Sequence, residues 1–279
     1  MKFNFITKTL IVSVVFTILL YLFPESLFIN NVSDLFTAVA LLFGIISGFF
    51  IAATLNNYFR LQSLVADETA GLISIYKLVM LLSPKLKKQI NRAIDNYLID
   101  SFDHEFEVYV DKTWDEFDEI CNVVSKVKKR ETDVYSQLIN TQNNLIRIRQ
   151  EMTLTGRRII GLSHWITLVV LAVTTIFLLF VMNEPTLESS IFTVLLSSTT
   201  CLVLFLLYEI DSNYFAEEQI AFSVYRNAFR ELGNIPYYSE LDIKKRRIKL
   251  PKKGVYRLGE YVNYPKSLEK KIKLINKNG

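Results

Sequence analysis

Leu35 to Arg60 reads LFTAVALLFGIISGFFIAATLNNYFR, and residues 35–59 carry no charge. At about 1.5 Å of rise per helical residue, about 20 residues cross the roughly 30 Å apolar core of a bilayer. This run therefore spans a membrane with residues to spare. Three further charge-free runs lie at 9–24, 159–183 and 189–208. The third run, 159–183, also has residues to spare, and 189–208 just spans. The first reaches spanning length when the apolar stretch from Phe3 is included. A 279-residue chain that is 51% hydrophobic, with its apolar residues gathered in this way, is not an ordinary soluble enzyme. It is expected to be an all-α, four-span membrane protein with a helical cytosolic extension.

Charge placement orients the spans. All 32 Lys and Arg fall in 1–8, 60–158 and 209–279. The short connections 24–34 and 183–189 hold none, only Glu25, Asp34, Glu184 and Glu188. Basic residues next to membrane ends stay on the inner side, so both termini and 60–158 are expected in the cytosol. Residues 1–59 then hold the first two spans and 60–158 a cytosolic helical region. Residues 159–208 hold the last two spans, 209–235 a cytosolic continuation of the fourth, and 236–279 a basic tail. Phe23-Pro24-Glu25-Ser26 is a poor cleavage site, so the first span reads as uncleaved rather than as a signal peptide. A bacterial inner membrane is the expected host.

The cytosolic part reads as helical. Leu61, Leu64, Val65, Leu72, Ile75, Leu78, Val79 and Leu82 recur at three- and four-residue intervals, one apolar helix face continuous with the second span. Ser83-Pro84 stops it and starts another helix, since proline suits a first turn. That helix has its face at Leu86, Ile90, Ala93, Ile94, Tyr97 and Leu98. A third helix holds Trp114, Phe117, Ile120 and Val124. A fourth, around 132–158, carries Leu138, Leu145 and Ile148 and is expected to run into the third span. The fourth span is expected to continue past Tyr208 to Gly233, a C-cap glycine. The tail from Pro236, with 13 Lys/Arg against 4 Asp/Glu, shows only weak periodicity. It reads as partly disordered or wrapped on other subunits, and no strand is expected anywhere.

Catalytic and metal-binding patterns are missing. The sequence has no Gly-rich phosphate loop, no G-x-S-x-G and no H-E-x-x-H. Cys121 and Cys201 are expected to be free thiols, and His104 and His164 to be packing or interfacial residues. The acidic stretch 100–119, with nine Asp/Glu and one Lys, lacks the alternating loop of an EF-hand and reads as a solvated helix face. No cofactor, metal or nucleic acid is expected. The basic run Lys244, Lys245, Arg246, Arg247 and Lys249 suits anionic lipid headgroups, or simply solubility. No span contains Asp, Glu, Lys or Arg, which disfavours a coupled transporter. A channel needs no charge in the membrane, because a ring of apolar side chains gates by dewetting.

Two stripes mark the second span. Ala40, Gly44, Gly48 and Ala52 recur every four residues, a small-residue stripe that lets helix backbones approach closely. Leu41, Ile45, Phe49 and Ala53 form the adjacent one. If the small stripe packs on a neighbour, the apolar one can face an oligomer axis. Alternatively, both pack helices within one subunit or face lipid.

Over roughly residues 33–232 the chain resembles the bestrophin-like family of bacterial membrane proteins and, more distantly, bestrophin anion channels. Three stretches carry the resemblance. Gly48-Phe49 is followed by Asn57-Tyr58-Phe59-Arg60, as in the segment that lines the bestrophin pore neck. Ala66-Asp67-Glu68-Thr69-Ala70-Gly71-Leu72 resembles the family's Glu-Ala-x-x-Leu pattern. Glu209-Ile210-Asp211-Ser212-Asn213-Tyr214-Phe215 ends the fourth span where the families have an acidic residue before Pro-Phe, although here Asn-Tyr-Phe stands in place of Pro-Phe. The resemblance implies a pentamer that passes small inorganic ions, anions in the first place, with Leu41, Ile45 and Phe49 as an apolar neck. Asp211, Glu217 and Glu218 are all that remains of the acidic cluster that clasps calcium in animal bestrophins. They are a candidate gating or cation site. The reading from another class is a non-conducting membrane scaffold whose cytosolic helices bind a partner protein.

Overall fold

The computed structural model describes residues 5–22, 32–104, 108–129, 132–212, 224–244, 248 and 250–277. It divides into two compact units, 1–56 with 158–212 and 57–157 with 213–279.

The first unit is built from the charge-free runs. It holds α1 (Phe5–Leu22), the first part of α2 (Val32–Leu82), α7 (Leu162–Val181) and α8 (Leu187–Asp211). Among the described residues, α2, α7 and α8 are long and apolar enough to cross a bilayer. In α1 the apolar stretch Thr9–Leu22 is shorter than that. With little hydrophobic drive between helices in lipid, contacts rest on packing and polar side chains. Ser13 of α1 meets Ser198 of α8, Oγ to Oγ at 3.1 Å, and Phe16 packs on Phe180. Phe36 and Val39 of α2 pack with Val32, Leu178 and Val181. Further along, Ile46, Phe50 and Ile51 pack with Trp165, Leu168 and Leu207. The ring of His164 stacks edge-on to Phe50 at 5.4 Å, the packing role expected of it.

The second unit contains the rest of α2, a 3₁₀ turn at Pro84–Leu86, α3 (Lys87–Ser101), α4 (Tyr109–Lys112), α5 (Trp114–Ser125), α6 (Asp133–Thr155) and α9 at 224–231. Its core is the apolar face read from the sequence: Leu61, Leu64, Val65, Leu72, Ile75, Leu78, Val79 and Leu82 are all buried. They meet Ile90, Ile94, Tyr97 and Leu98 of α3, Phe117, Ile120 and Val124 of α5, and Leu138, Leu145 and Ile148 of α6. Each such side chain contributes roughly 1.5–3 kcal/mol on full burial. Gly71 sits where α2 meets α6; a Cβ there would stand 2.6 Å from the Leu145 side chain.

Three expectations need correction. First, the helix around 132–158 does not continue into the third span: α6 ends at Thr155 and α7 starts at Leu162. Gly156 and Gly161 bracket the break, and the amides of Ile159 and Ile160 leave the helical ladder to donate to Asp211. Second, α8 is capped by Ser212, and residues 213–223 lie outside the described residues. The predicted end at Gly233 does hold. Its φ is +73°, with Asn234 N–H on Phe229 O (2.8 Å) and Gly233 N–H on Arg230 O (3.0 Å), the paired bonds of a Schellman cap.

Third, the chain is mostly helical but not all-α. The tail folds into a three-stranded sheet with a short helix, α10 (Glu240–Lys244), after its first strand. The strands are β1 (Tyr237–Ser239), β2 (Gly254–Tyr261) and β3 (Lys270–Lys277), in order β1-β2-β3. β1 runs parallel to β2, with Tyr237 opposite Arg257. β2 runs antiparallel to β3, with Gly254 opposite Lys277 and Tyr261 opposite Lys270. The acidic residues of α3 explain why so basic a segment folds. Arg257 donates to both oxygens of Asp95 (2.6 and 2.8 Å). Lys270 reaches Asp100 (2.8 Å) and Asp103 (2.5 Å), and Tyr261 donates to Asp103. The expected solvated face over 100–119 is thus partly covered. Asp100 and Asp103 neutralise tail cations in place of water.

Candidate functional site

The 51-residue helix α2 has no internal proline or break, so its side chains sort by face. One face turns inward: Phe43, Ser47 and Thr54 are buried, and both hydroxyls donate back to carbonyls four residues earlier, Ser47 to Phe43 at 2.6 Å and Thr54 to Phe50 at 2.8 Å. Among the described residues the other face is exposed. Leu41, Ile45 and Phe49 are 62%, 61% and 68% exposed. Of the small stripe, Gly44, Gly48 and Ala52 are exposed and Ala40 is half-buried. A Cβ on Gly44 or Gly48 would meet nothing within 4 Å. Among the described residues, then, neither glycine packs inside the subunit, one of the alternatives left open by the sequence.

The second unit has a polar centre that periodicity did not reveal. Glu68 of α2 and Arg149 of α6 are essentially fully buried, with Arg149 Nη1 3.4 Å from Glu68 Oε1. Tyr109 donates to Glu68 Oε2 at 2.6 Å, and Tyr97 donates to Oε1. Tyr225 donates to the Tyr109 hydroxyl at 3.1 Å. Arg149 also donates to Val110 O at 2.9 Å and lies 4.4 Å from the Phe117 ring centre, a cation over an aromatic face. Burial first, and the Glu68 carboxylate second, push the Tyr97 and Tyr109 hydroxyls well above their ordinary pKa. Both therefore stay protonated as donors. Six elements, α2 to α6 and α9, meet at this cluster. Its side chains are buried, and their bonds tie the six elements together.

The remaining sequence-derived sites are scattered. Asp211 is buried, and its Oδ1 accepts from Ile159 N (3.0 Å) and Ile160 N (3.1 Å), anchoring the turn before α7. Glu217 and Glu218 lie outside the described residues, as do Lys245, Arg246, Arg247 and Lys249. Lys244 pairs with Glu240 one helical turn back, at 2.7 Å. Among the described residues no three His, Cys, Asp or Glu side chains are grouped to hold a metal, and Cys121 and Cys201 are free thiols.

Residues 8–214 match the family model described as the bestrophin-like domain. The fold is similar to that of a bacterial bestrophin homolog from Klebsiella pneumoniae solved by zinc phasing. That likeness has a TM-score of 0.62 at 13% identity, over 84% of this chain and 100% of that one. A single-site variant of the Klebsiella protein aligns with a TM-score of 0.64 at 14% identity, over 82% and 97% of the two chains. At such identities the likeness shows the fold. No curated protein matches the sequence.

Proposed function

The chain belongs to the bestrophin-like family, and from that premise we propose that it is an oligomeric, anion-conducting channel whose neck is the Leu41, Ile45 and Phe49 stripe of α2. The observation that supports this reading is the exposed apolar face of α2, set against a buried opposite face on the same helix. Side chains four apart lie about 6 Å apart along the helix, so a ring of five subunits would stack three apolar rings. A narrow apolar ring sheds water and leaves an ion with an uncompensated desolvation cost. Gly44 and Gly48, with empty space around them, would let the neighbouring subunit's backbone come close.

In this reading residues 1–59 and 159–208 lie in a bacterial inner membrane. Residues 60–158 and both termini are cytosolic, 209–235 continues the fourth span, and within the basic tail, 236–279, Lys244, Lys245, Arg246, Arg247 and Lys249 meet anionic lipid headgroups. Asp211 acts by holding the turn before α7, and gating passes through it only by way of that turn.

The test is current through the purified protein in planar bilayers, with its subunit number measured in parallel. The triple variant Leu41→Ala, Ile45→Ala, Phe49→Ala should give larger or less gated currents than the parent. No current from either protein would refute the channel reading. A monomer or dimer would turn the choice to the non-conducting scaffold.

A further inference from the structure

The short helix α10 and the loop after β2 border a cavity of about 320 Å³, lined by Glu240, Leu241, Lys244, Tyr261, Val262 and Tyr264. Small-ligand sites run from roughly 300 to 1,000 Å³. The walls are of three kinds. Tyr261 and Tyr264 stand edge to face, ring centres 6.3 Å apart. Glu240 and Lys244 pair at 2.7 Å. Leu241 and Val262 add apolar surface. Charge nearby is balanced: Lys273, which also acts on Glu240, is paired with Glu260 at 2.5 Å. A carboxylate beside aromatic faces suits an ammonium group, and a lysine suits a phosphate. A ligand that carries both signs satisfies this lining, whereas a simple anion is opposed by Glu240.

The level of the cavity along the helices favours a lipid as the source. Arg60 is the first charge after the run 35–59, so in the membrane reading α2 leaves the apolar core there. Glu68 stands about 12 Å farther along α2 and accepts from Tyr97 of α3. The two helices join through the turn at Pro84–Leu86, so α3 runs back toward Arg60. Asp103, six residues past Tyr97, returns by about 9 Å, to within a helical turn of the level of Arg60. Asp103 holds Tyr261 and Lys270, and with them the end of the sheet that borders the cavity. Building on the lipid-facing reading of the tail above, we propose that this cavity is a headgroup site for a zwitterionic phospholipid. Lys244 takes the phosphate, Glu240 and the two tyrosines take the ammonium group, and Leu241 and Val262 meet the start of the acyl chains.

The experiment is calorimetric titration of the full-length protein in a maltoside detergent with three probes: dihexanoyl phosphatidylethanolamine, dihexanoyl phosphatidylglycerol and free O-phosphoethanolamine. The parent should bind the ethanolamine lipid more tightly than the glycerol lipid, and more tightly than the free ester, which has no acyl chains. Tyr264→Ala should weaken the ethanolamine lipid about two- to fivefold, the worth of one exposed cation–π contact, and leave the glycerol lipid unchanged. Glu240→Gln should remove the preference, and Lys244→Gln should weaken both lipids. Tyr264 is 48% exposed, and Tyr264→Phe, which keeps the ring, should keep the parent preference. Equal binding of the two lipids by the parent, unchanged in Tyr264→Ala, overturns the pocket and leaves the anionic-lipid reading of the basic run standing. Equal binding of the free ester and the ethanolamine lipid overturns the lipid source and gives the pocket to the soluble ester. Binding of neither lipid overturns both readings.

Discussion

Arg149 and Glu68 show how a single position can escape a reading of pattern. Arg149 lies in the polar stretch Asn143-Asn144-Leu145-Ile146-Arg147-Ile148-Arg149-Gln150, where a charge reads as solvated. Its spacing says otherwise. Leu145, Arg149 and Met152 stand four and three apart on the buried face of α6, and Glu68 stands likewise between Leu64 and Leu72 on α2. Opposite charges, each set in an apolar stripe on a different helix, are the available signal for a buried pair. Replacing such a pair wholly by apolar residues is often neutral, while removing one partner strands a buried charge at about 3–5 kcal/mol. Arg149→Met is therefore expected to lower the stability of the second unit by that amount, read as a lower melting temperature of the detergent-solubilised protein. Adding Glu68→Leu should restore much of the loss. A melting temperature unchanged by Arg149→Met would mean that Tyr97 and Tyr109 alone satisfy Glu68.

At the scale of elements, the helices were legible and the sheet was not. The three-and-four spacing on α2, α3, α5 and α6 reports a continuous buried face, and the core lies where that spacing says. β3 alternates Lys271, Ile272, Lys273 and Leu274, a period of two. Yet most of its side chains are exposed, so burial left little contrast to read. Its stability comes from acidic partners distant in sequence, Asp100 and Asp103, which no local window contains. The stripe of Leu41, Ile45 and Phe49 was legible as periodicity, but periodicity does not say which face an assembly covers. Glycine divides the same way. Gly71→Val has to displace the buried Leu145 side chain, and overpacking of this kind costs about 1–3 kcal/mol, so the subunit itself should melt earlier. Gly44→Leu and Gly48→Leu meet open space within the subunit and should leave its folding intact while disrupting the oligomer. Native mass spectrometry separates the cases. Unchanged oligomers from both Leu variants would remove the small stripe from the interface.

For the whole molecule, the distribution of charge makes a claim that the fold does not decide: which side of the membrane each segment occupies. All basic residues lie outside the two short connections, which is the pattern left when the inner side retains them. The connection after α7 is well built for one purpose. Asn183 Oδ1 accepts from Ser189 Oγ and Thr193 Oγ1, both at 3.1 Å, and Thr186 caps α8. A cysteine at Asn183 would break that turn, whereas the exposed Glu184 can be replaced without touching it. In a background with Cys121→Ser and Cys201→Ala, Glu184→Cys should react with a membrane-impermeant maleimide added to intact cells. Gln142→Cys on α6 should react only after the cells are opened. The four crossings expected from the charge-free runs would place these sites on opposite sides. An odd number of crossings between them is the essential feature, supplied here by α7 whether or not the short apolar stretch of α1 crosses. Labelling of Gln142→Cys from outside would reverse the orientation and put the helical region 60–158 on the outer face.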